Sequence, residues 1–385
     1  MTARPDVAIL SNARLVLSDR VIENGWLAMQ DGQIAAFGEG RPPERGEDMG
    51  GDIVMPGLIE LHTDHLEAHY MPRPKVYWNP VSAVVSYDGQ LATSGITTVL
   101  DSLRVWREDA TDDSDGEAVL LANAISAARE AGLLRADHYL HLRCEVPMPG
   151  VVNEAASLFA RDDVRLASLM DHTPGQRQFR DEDKLRTYYR GKNAGMSEAD
   201  LDKMFASRIA YQREFGARNY RALVELAQRQ QTPLASHDDT TLDHVEQAIA
   251  DGIAIAEFPT TIEAAAALHQ AGIRVMMGAP NLVRGGSHSG NVATADLARE
   301  GLLDILSSDY VPSSLLAAAV TMPSLVDGID LASAVRTVTK TPAEAVGFTD
   351  RGEIAPGKRA DLIRVHVAHD VPAVRAVWRA GERVA

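Results

Sequence analysis

Short apolar runs alternate with longer segments of helical period through most of the chain. Such runs predict strands at Ile53–Leu61, Ile96–Asp101, His138–Val146, Val164–Asp171, Pro233–His237, Ile253–Phe258, Arg274–Gly278 and Ile305–Asp309. Alternation of strand and helix predicts a parallel sheet covered by helices, and eight such units predict a closed barrel. The chain ends have a different texture. Val7–Leu10, Arg14–Leu17, Gly25–Met29 and Gln33–Phe37 read as short strands, with Asp31-Gly32 as a hairpin turn between the last two. Ala360–His366 and Val374–Val384 have the same character. The expected fold is therefore α/β: a distorted (β/α)8 TIM barrel over residues 53–351, with a small β-sandwich domain built from residues 1–52 and 352–385.

One stretch interrupts the alternation. Residues 173–220 form a polar insertion in which Ser197 is the expected N-cap of a helix, with Glu198, Asp200 and Asp202 in its first turns. An insertion after a barrel strand lies over the open end of the barrel, so a lid is expected here, against a solvated helical hairpin.

Polar residues gather where these strands end. In Val54–Glu67 an apolar run stops abruptly at His62, Asp64, His65 and Glu67. On a strand, residues two apart share a face, so His62 and Asp64 point the same way, as a divalent metal requires of an imidazole and a carboxylate. His141, Arg143 and Glu145 share a face of the third strand, and Glu145 lies nearest its C-terminal end. His237, Glu257 and Asp309 each end a later strand. The C-terminal ends of barrel strands are where active sites form, and packing alone does not explain this collection. A carboxylate such as Asp309 can both bind metal and accept the proton of a bound water. His172 ends the fourth strand and joins the candidates.

Composition narrows the class. The 385 residues are 45% hydrophobic and 24% charged, an ordinary globular balance. A formal net charge of −16 argues against nucleic-acid and membrane partners. It also obliges any anionic substrate to find local positive charge. The single cysteine, Cys144, allows no internal disulfide, and no signal peptide or apolar spanning run is present, so a cytoplasmic location is expected. Cys144 faces away from Glu145 and reads as a buried thiol.

The segment Leu282–Asn291 carries Arg284, Gly285, Gly286, Ser287, His288, Ser289 and Asn291. Its glycines let backbone N–H groups approach an anion, and Arg284 adds a bidentate donor, so phosphate binding is expected. Arg73 and Lys75 follow the first metal motif, and Arg177, Arg180 and Lys192 lie in the insertion; each is a candidate substrate contact.

These spacings, from Pro56-Gly57 to the closing Gly352–Ile363, resemble the amidohydrolase superfamily. Glu60–Glu67, Gly95–Asp101, Gln178–Asp181, Glu257–Thr261, Gly278–Asn291 and Ser307–Tyr310 together resemble, more narrowly, the PhnM family of the carbon–phosphorus lyase pathway. That resemblance implies hydrolysis of α-D-ribose 1-methylphosphonate 5-triphosphate with release of pyrophosphate. It implies a small phosphorylated sugar phosphonate as substrate, and it leaves open a homo-oligomer and association with other proteins of that pathway. It also implies two divalent metal ions, zinc first, with manganese or magnesium as alternatives. The implied ligands are His62, Asp64, Glu145, His237, Glu257 and Asp309, with Asp309 as base. The chain departs from the wider pattern in three places. His62-Thr63-Asp64 replaces His-x-His, the fourth strand has no bridging lysine, so Glu145 takes that part, and Glu257 stands where a histidine is common.

Two other readings compete: a cyclic amidohydrolase or N-acetyl-sugar deacetylase on the same fold, and a non-catalytic barrel scaffold. His65 and His69 are weaker candidates for the substrate, His244 and His269 read as surface, and His366 and His369 as structural.

Overall fold

The computed structural model describes residues 7–108, 116–177, 185–186, 190, 197–287 and 290–385. Eight parallel strands run in chain order around one sheet: β1 Leu58–Thr63, β2 Ile96–Val105, β3 Asp137–Glu145, β4 Val164–Met170, β5 Leu234–His237, β6 Ile255–Glu257, β7 Arg274–Gly278 and β8 Ile305–Ser307. Each is hydrogen-bonded to the next, and a bridge between Thr63 and Asp309 joins the last to the first. The eight units expected from the alternation are all present. No helix among the described residues is long and apolar enough to cross a membrane.

The barrel interior is layered, because residues two apart on each strand face inward together. Ile59, Leu61, Leu100, Leu166, Ala235, Ile255, Met276 and Ile305 form one apolar layer, closed from below by Val346 and Phe348. The next inward residues toward the C-terminal end are polar: Ser102, His141, Ser168, His237, Glu257 and Ser307, all buried. The alternate residues, such as Val99, Leu142, Ala167, Ala256 and Leu306, pack outward against the helices. An apolar floor thus carries a polar layer directly above it.

The first strand differs from its expected form. Ile53–Pro56 pairs antiparallel with the C-terminal strand Leu362–Ala368, and only Leu58–Thr63 enters the barrel. The break falls at Gly57, where a Cβ would lie 2.2 Å from Thr97 Oγ1. A residue with a side chain at that crossing would have to displace the Thr97 side chain on the second barrel strand. The two chain ends combine into one mixed sheet around a separate core of Leu15, Leu27, Ile34, Leu362 and Trp378. The Asp31-Gly32 turn joins Gln30 to Gln33 with φ of 50° and 78°, the left-handed pair of a tight hairpin. In the insertion, Ser197 caps the helix Glu198–Tyr211 through a reciprocal pair with Asp200. Arg180 and Lys192 lie outside the described residues.

Between barrel and helices lies a fully buried ion cluster. His138 Nδ1 is 2.9 Å from Asp101 Oδ2, and its Nε2 is 3.4 Å from Asp88 Oδ1. Burial alone lowers an imidazole's pKa, but the two carboxylates outweigh it and push His138 up to about 9. The folded value lies above the ordinary 6.5, so the stabilisation is complete below pH 6.5 and is lost as the pH climbs through about 9. At full strength it is on the order of 3 kcal/mol. Chemical denaturation from pH 6 to pH 10 is expected to show this decline in the wild-type protein. His138→Gln is expected to start less stable and to lack that part of the decline.

Candidate functional site

The C-terminal ends of the strands converge on Glu257. This carboxylate has no solvent exposure. Its Oε1 lies 3.1 Å from His62 Nδ1, and its Oε2 lies 3.0 Å from His237 Nδ1. Ser168 donates a hydrogen bond of 2.7 Å to the same Oε2, and His141 Nε2 is 3.5 Å from Oε1. Burial raises a carboxyl's pKa, yet the charge on His62 and the hydrogen bond from His237 overcome that and hold Glu257 well below the usual carboxylate range. Conversely Glu257 overcomes the burial of His62 and raises its pKa. His141 behaves oppositely: burial lowers it to about 3, so it is neutral, hydrogen-bonded to the Leu61 carbonyl at 2.8 Å.

A second cluster adjoins the first. Glu145 Oε2 lies 2.6 Å from His172 Nδ1, and the His172 backbone N–H donates to Oε1 at 2.8 Å. His172 in turn meets His237 edge to face at 5.5 Å. Ligand atoms of His62, His237 and Glu257 lie within 4.8 Å of one another, and so do those of His172, His237 and Asp238. His237 belongs to both groups. The donor chemistry, imidazole and carboxylate oxygen, suits zinc, manganese or a similar divalent ion. Glu257 Oε1 and His62 Nδ1 are buried and lack a hydrogen-bond partner beyond their ion pair, as unfilled ligand atoms do.

The backbone at this rim is unusual. Asp238, Phe258 and Asp309, each just past a strand end, have φ of 57°, 56° and 53°. Their N–H groups donate across to the Glu257, Met276 and His62 carbonyls at 2.8, 2.8 and 3.1 Å. The left-handed step turns the chain out of the barrel while keeping the hydrogen-bond ladder intact. For a phenylalanine this conformation is costly, and such strain concentrates at functional sites.

Asp309 sits on this step, and burial pushes its carboxyl above the ordinary range. Its position is fixed by a residue to which the sequence reading gave no role. Glu60, fully buried, accepts hydrogen bonds from the His62 N–H at 2.7 Å and the Ser308 N–H at 2.6 Å. One carboxylate thus ties the end of β1 to the end of β8. Burial raises its pKa to about 7. The available signal was a charged residue inside the apolar run Leu58-Ile-Glu-Leu61.

Other expected residues fall differently. Asp64 pairs with Arg143 Nη1 at 3.2 Å and belongs to neither mutual ligand group. Glu145 and Asp309 likewise stand beside those groups rather than within them. Arg177 is committed to protein: its Nη1 donates to Asp239 Oδ1 and to the His237 carbonyl, both at 2.7 Å. It braces the turn that follows His237. Arg73 and Arg284 are exposed. Arg284 ends the short helix Ala279–Arg284, Gly285 follows at φ 82°, and the Gly286 N–H donates to the Asn281 carbonyl. Asn281 also accepts from the Thr294 N–H, closing the loop that bears Ser287 and Asn291; His288 lies outside the described residues. Cys144 is buried, and burial raises its thiol pKa far out of reactive range.

The Amidohydrolase family model matches residues 53–384. The α-D-ribose 1-methylphosphonate 5-triphosphate diphosphatase of Escherichia coli (strain K12) is 45% identical over 381 residues, 98% of this chain and 100% of the relative. Among solved structures, 5-methylcytosine deaminase from Klebsiella pneumoniae, liganded with phosphonocytosine, superposes with a TM-score of 0.65 at 17% identity, covering 98% of each chain. N-acetyl-D-glucosamine-6-phosphate deacetylase from Mycobacterium smegmatis gives 0.61 at 19% identity, covering 98% of this chain and 100% of the other. At such identities the structural likeness speaks for the fold alone.

If Glu257 is the hub of metal binding, zinc added to chelator-treated wild-type protein should raise its melting temperature by several degrees. Glu257→Gln should abolish that shift and lower bound metal measured by mass spectrometry. A full zinc shift in the variant would remove Glu257 from the ligand set.

Proposed function

The chain belongs to the amidohydrolase family, and on that premise we propose that it is a metal-dependent hydrolase of α-D-ribose 1-methylphosphonate 5-triphosphate, releasing pyrophosphate and leaving the 5-phosphate. The observation that carries the reading is the 45% identity running the full length of a diphosphatase of that name. The rim described above supports it, with imidazoles and carboxylates gathered on one end of the barrel.

His62, His237 and Glu257 would hold one divalent ion, with Asp64, Glu145, His172, Asp238 and Asp309 at hand for a second. Zinc is the first choice and manganese or magnesium the alternatives. Such ions supply Lewis acidity and lower the pKa of water. The chain's own residues do the rest. Asp309 accepts a proton from the attacking water as its oxygen adds to the α-phosphorus. The bond from that phosphorus to the bridging oxygen of the β-phosphate breaks, and pyrophosphate leaves. Glu60 keeps Asp309 in register with His62 throughout, because both ends of its carboxylate are spent on backbone N–H groups. The glycine loop after β7 and Arg73 remain our candidates for the distal phosphates. The net charge of −16 and the lack of an apolar spanning helix among the described residues support a cytoplasmic enzyme acting on a small solute.

Metal-loaded protein incubated with the triphosphate should release pyrophosphate, followed by phosphorus-31 NMR, and should be inert toward cyclic amides and N-acetyl sugar phosphates. Asp309→Asn should remain folded and lose at least about 100-fold in kcat, the usual scale for a general base. Near-normal turnover by that variant would remove Asp309 from the role, and turnover of amides alone would overturn the substrate.

A further inference from the structure

Arg143 continues the inward row of β3, two residues beyond His141 and two before Glu145. Its side chain is 15% exposed, so it is a mostly buried cation at the mouth of the barrel. A guanidinium carries five N–H donors in a rigid fork. Among the described residues a single hydrogen bond engages it, from Nη1 to Asp64 Oδ2 at 3.2 Å, while Nε is buried without a partner among them. That bond is long, since charge-assisted bonds of this type usually run about 2.7–2.9 Å. An anchor for Asp64 alone would need neither the fork nor its burial.

The surroundings say what the spare donors face. The charges of Asp64, Glu67, Asp309 and Glu257 all act on Arg143. Arg143 acts in turn on His62, His172 and Asp309. It is therefore within electrostatic reach of both groups of ligand atoms and of the residue placed as base. Two neighbouring cations are otherwise engaged. Arg177 is held by Asp239, and Arg104 lies against Trp106 and 3.9 Å from Glu67. Arg284 is out on the exposed loop.

We propose that Arg143 is a catalytic residue, whose guanidinium leaves Asp64 when substrate enters and donates to the non-bridging oxygens of the phosphoryl group under attack. The proposal rests on the triphosphate reading above. Attack by water places a fifth oxygen on the α-phosphorus before the bond to the β-phosphate breaks, and charge on the equatorial oxygens is what a planar, permanently charged fork matches. The arginine keeps its proton throughout; the proton of water goes to Asp309. Asp64 holds the fork through its Oδ2 before substrate arrives, which leaves its Oδ1 for the second ion.

The test compares wild type, Arg143→Lys, Arg143→Met and Arg143→Ala, all metal-loaded, for kcat, KM, melting temperature and bound metal. Arg143→Met is expected to lose about 100- to 1,000-fold in kcat, the scale of one lost oxyanion donor, with bound metal unchanged. Arg143→Lys, a point charge without the fork, is expected to recover only part of the loss. Methylguanidinium added to Arg143→Ala is expected to restore turnover, which a structural anchor would not allow. Turnover of Arg143→Met within threefold of wild type overturns the proposal, and so does a loss that no guanidinium rescues and that follows lost metal. A wild-type protein that releases no pyrophosphate would instead sink the proposed function. In that case calorimetric binding of inorganic tripolyphosphate decides the arginine's part: at least tenfold weaker binding by Arg143→Met supports it, and equal affinity overturns it.

Discussion

A carboxylate with no access to water must be surrounded by positive charge or donors, and Glu257 sets that demand at the centre of this barrel. His62 and His237 answer it from the first and fifth strands, with Ser168 and His141 filling in from the fourth and third. Removing either side would leave the other buried and uncompensated. The site is therefore mutually determined: imidazoles are held in place by the acid, and the acid is kept ionised by the imidazoles. Below it lies a layer of buried apolar side chains, which offers the polar atoms no partners on that side.

Around this hub the rim is built by a repeated backbone device. Three strand ends turn out through a left-handed residue whose N–H still reaches the neighbouring strand. Two of the three are aspartates, which tolerate the conformation; the third is Phe258, which stands edge-on to both His62 and His237. Its ring lies against the imidazoles, and the strain of its backbone is the cost of placing it there. Glu60 adds a cross-brace between the first and last strands. The strand ends that carry the side chains at the mouth are thus tied to one another by hydrogen bonds to backbone N–H groups.

Much of this was legible in the sequence. Eight strand-like runs and their polar ends gave the barrel and located His62, Glu145, His172, His237, Glu257 and Asp309 on its rim, because period-two patterning and strand termini are local features. Pairings between strands are not local. Nothing near Arg177 in the chain announces Asp239, and nothing near Asp64 announces Arg143, 79 residues away. The split of the first strand had its signal in Pro56-Gly57, but the expected strand Ile53–Leu61 ran through it because the residues on both sides are largely apolar. The glycine-rich segment looked like an anion cradle, yet its glycines also serve as the cap of a six-residue helix, a use with the same composition.

The pairing of Ile53–Pro56 with Leu362–Ala368 has a consequence in time. The Gly57 N–H, five residues before His62, donates to the Asp361 carbonyl. During synthesis the segment leading into the first barrel strand therefore waits for more than 300 residues of chain before its partner exists. Contacts this remote in sequence form late, because a long loop must close first. The histidine that opens the proposed metal site thus reaches its final setting only after nearly all the other rim residues have been made. Until then the nascent chain holds a scattered set of imidazoles and acids rather than an assembled site.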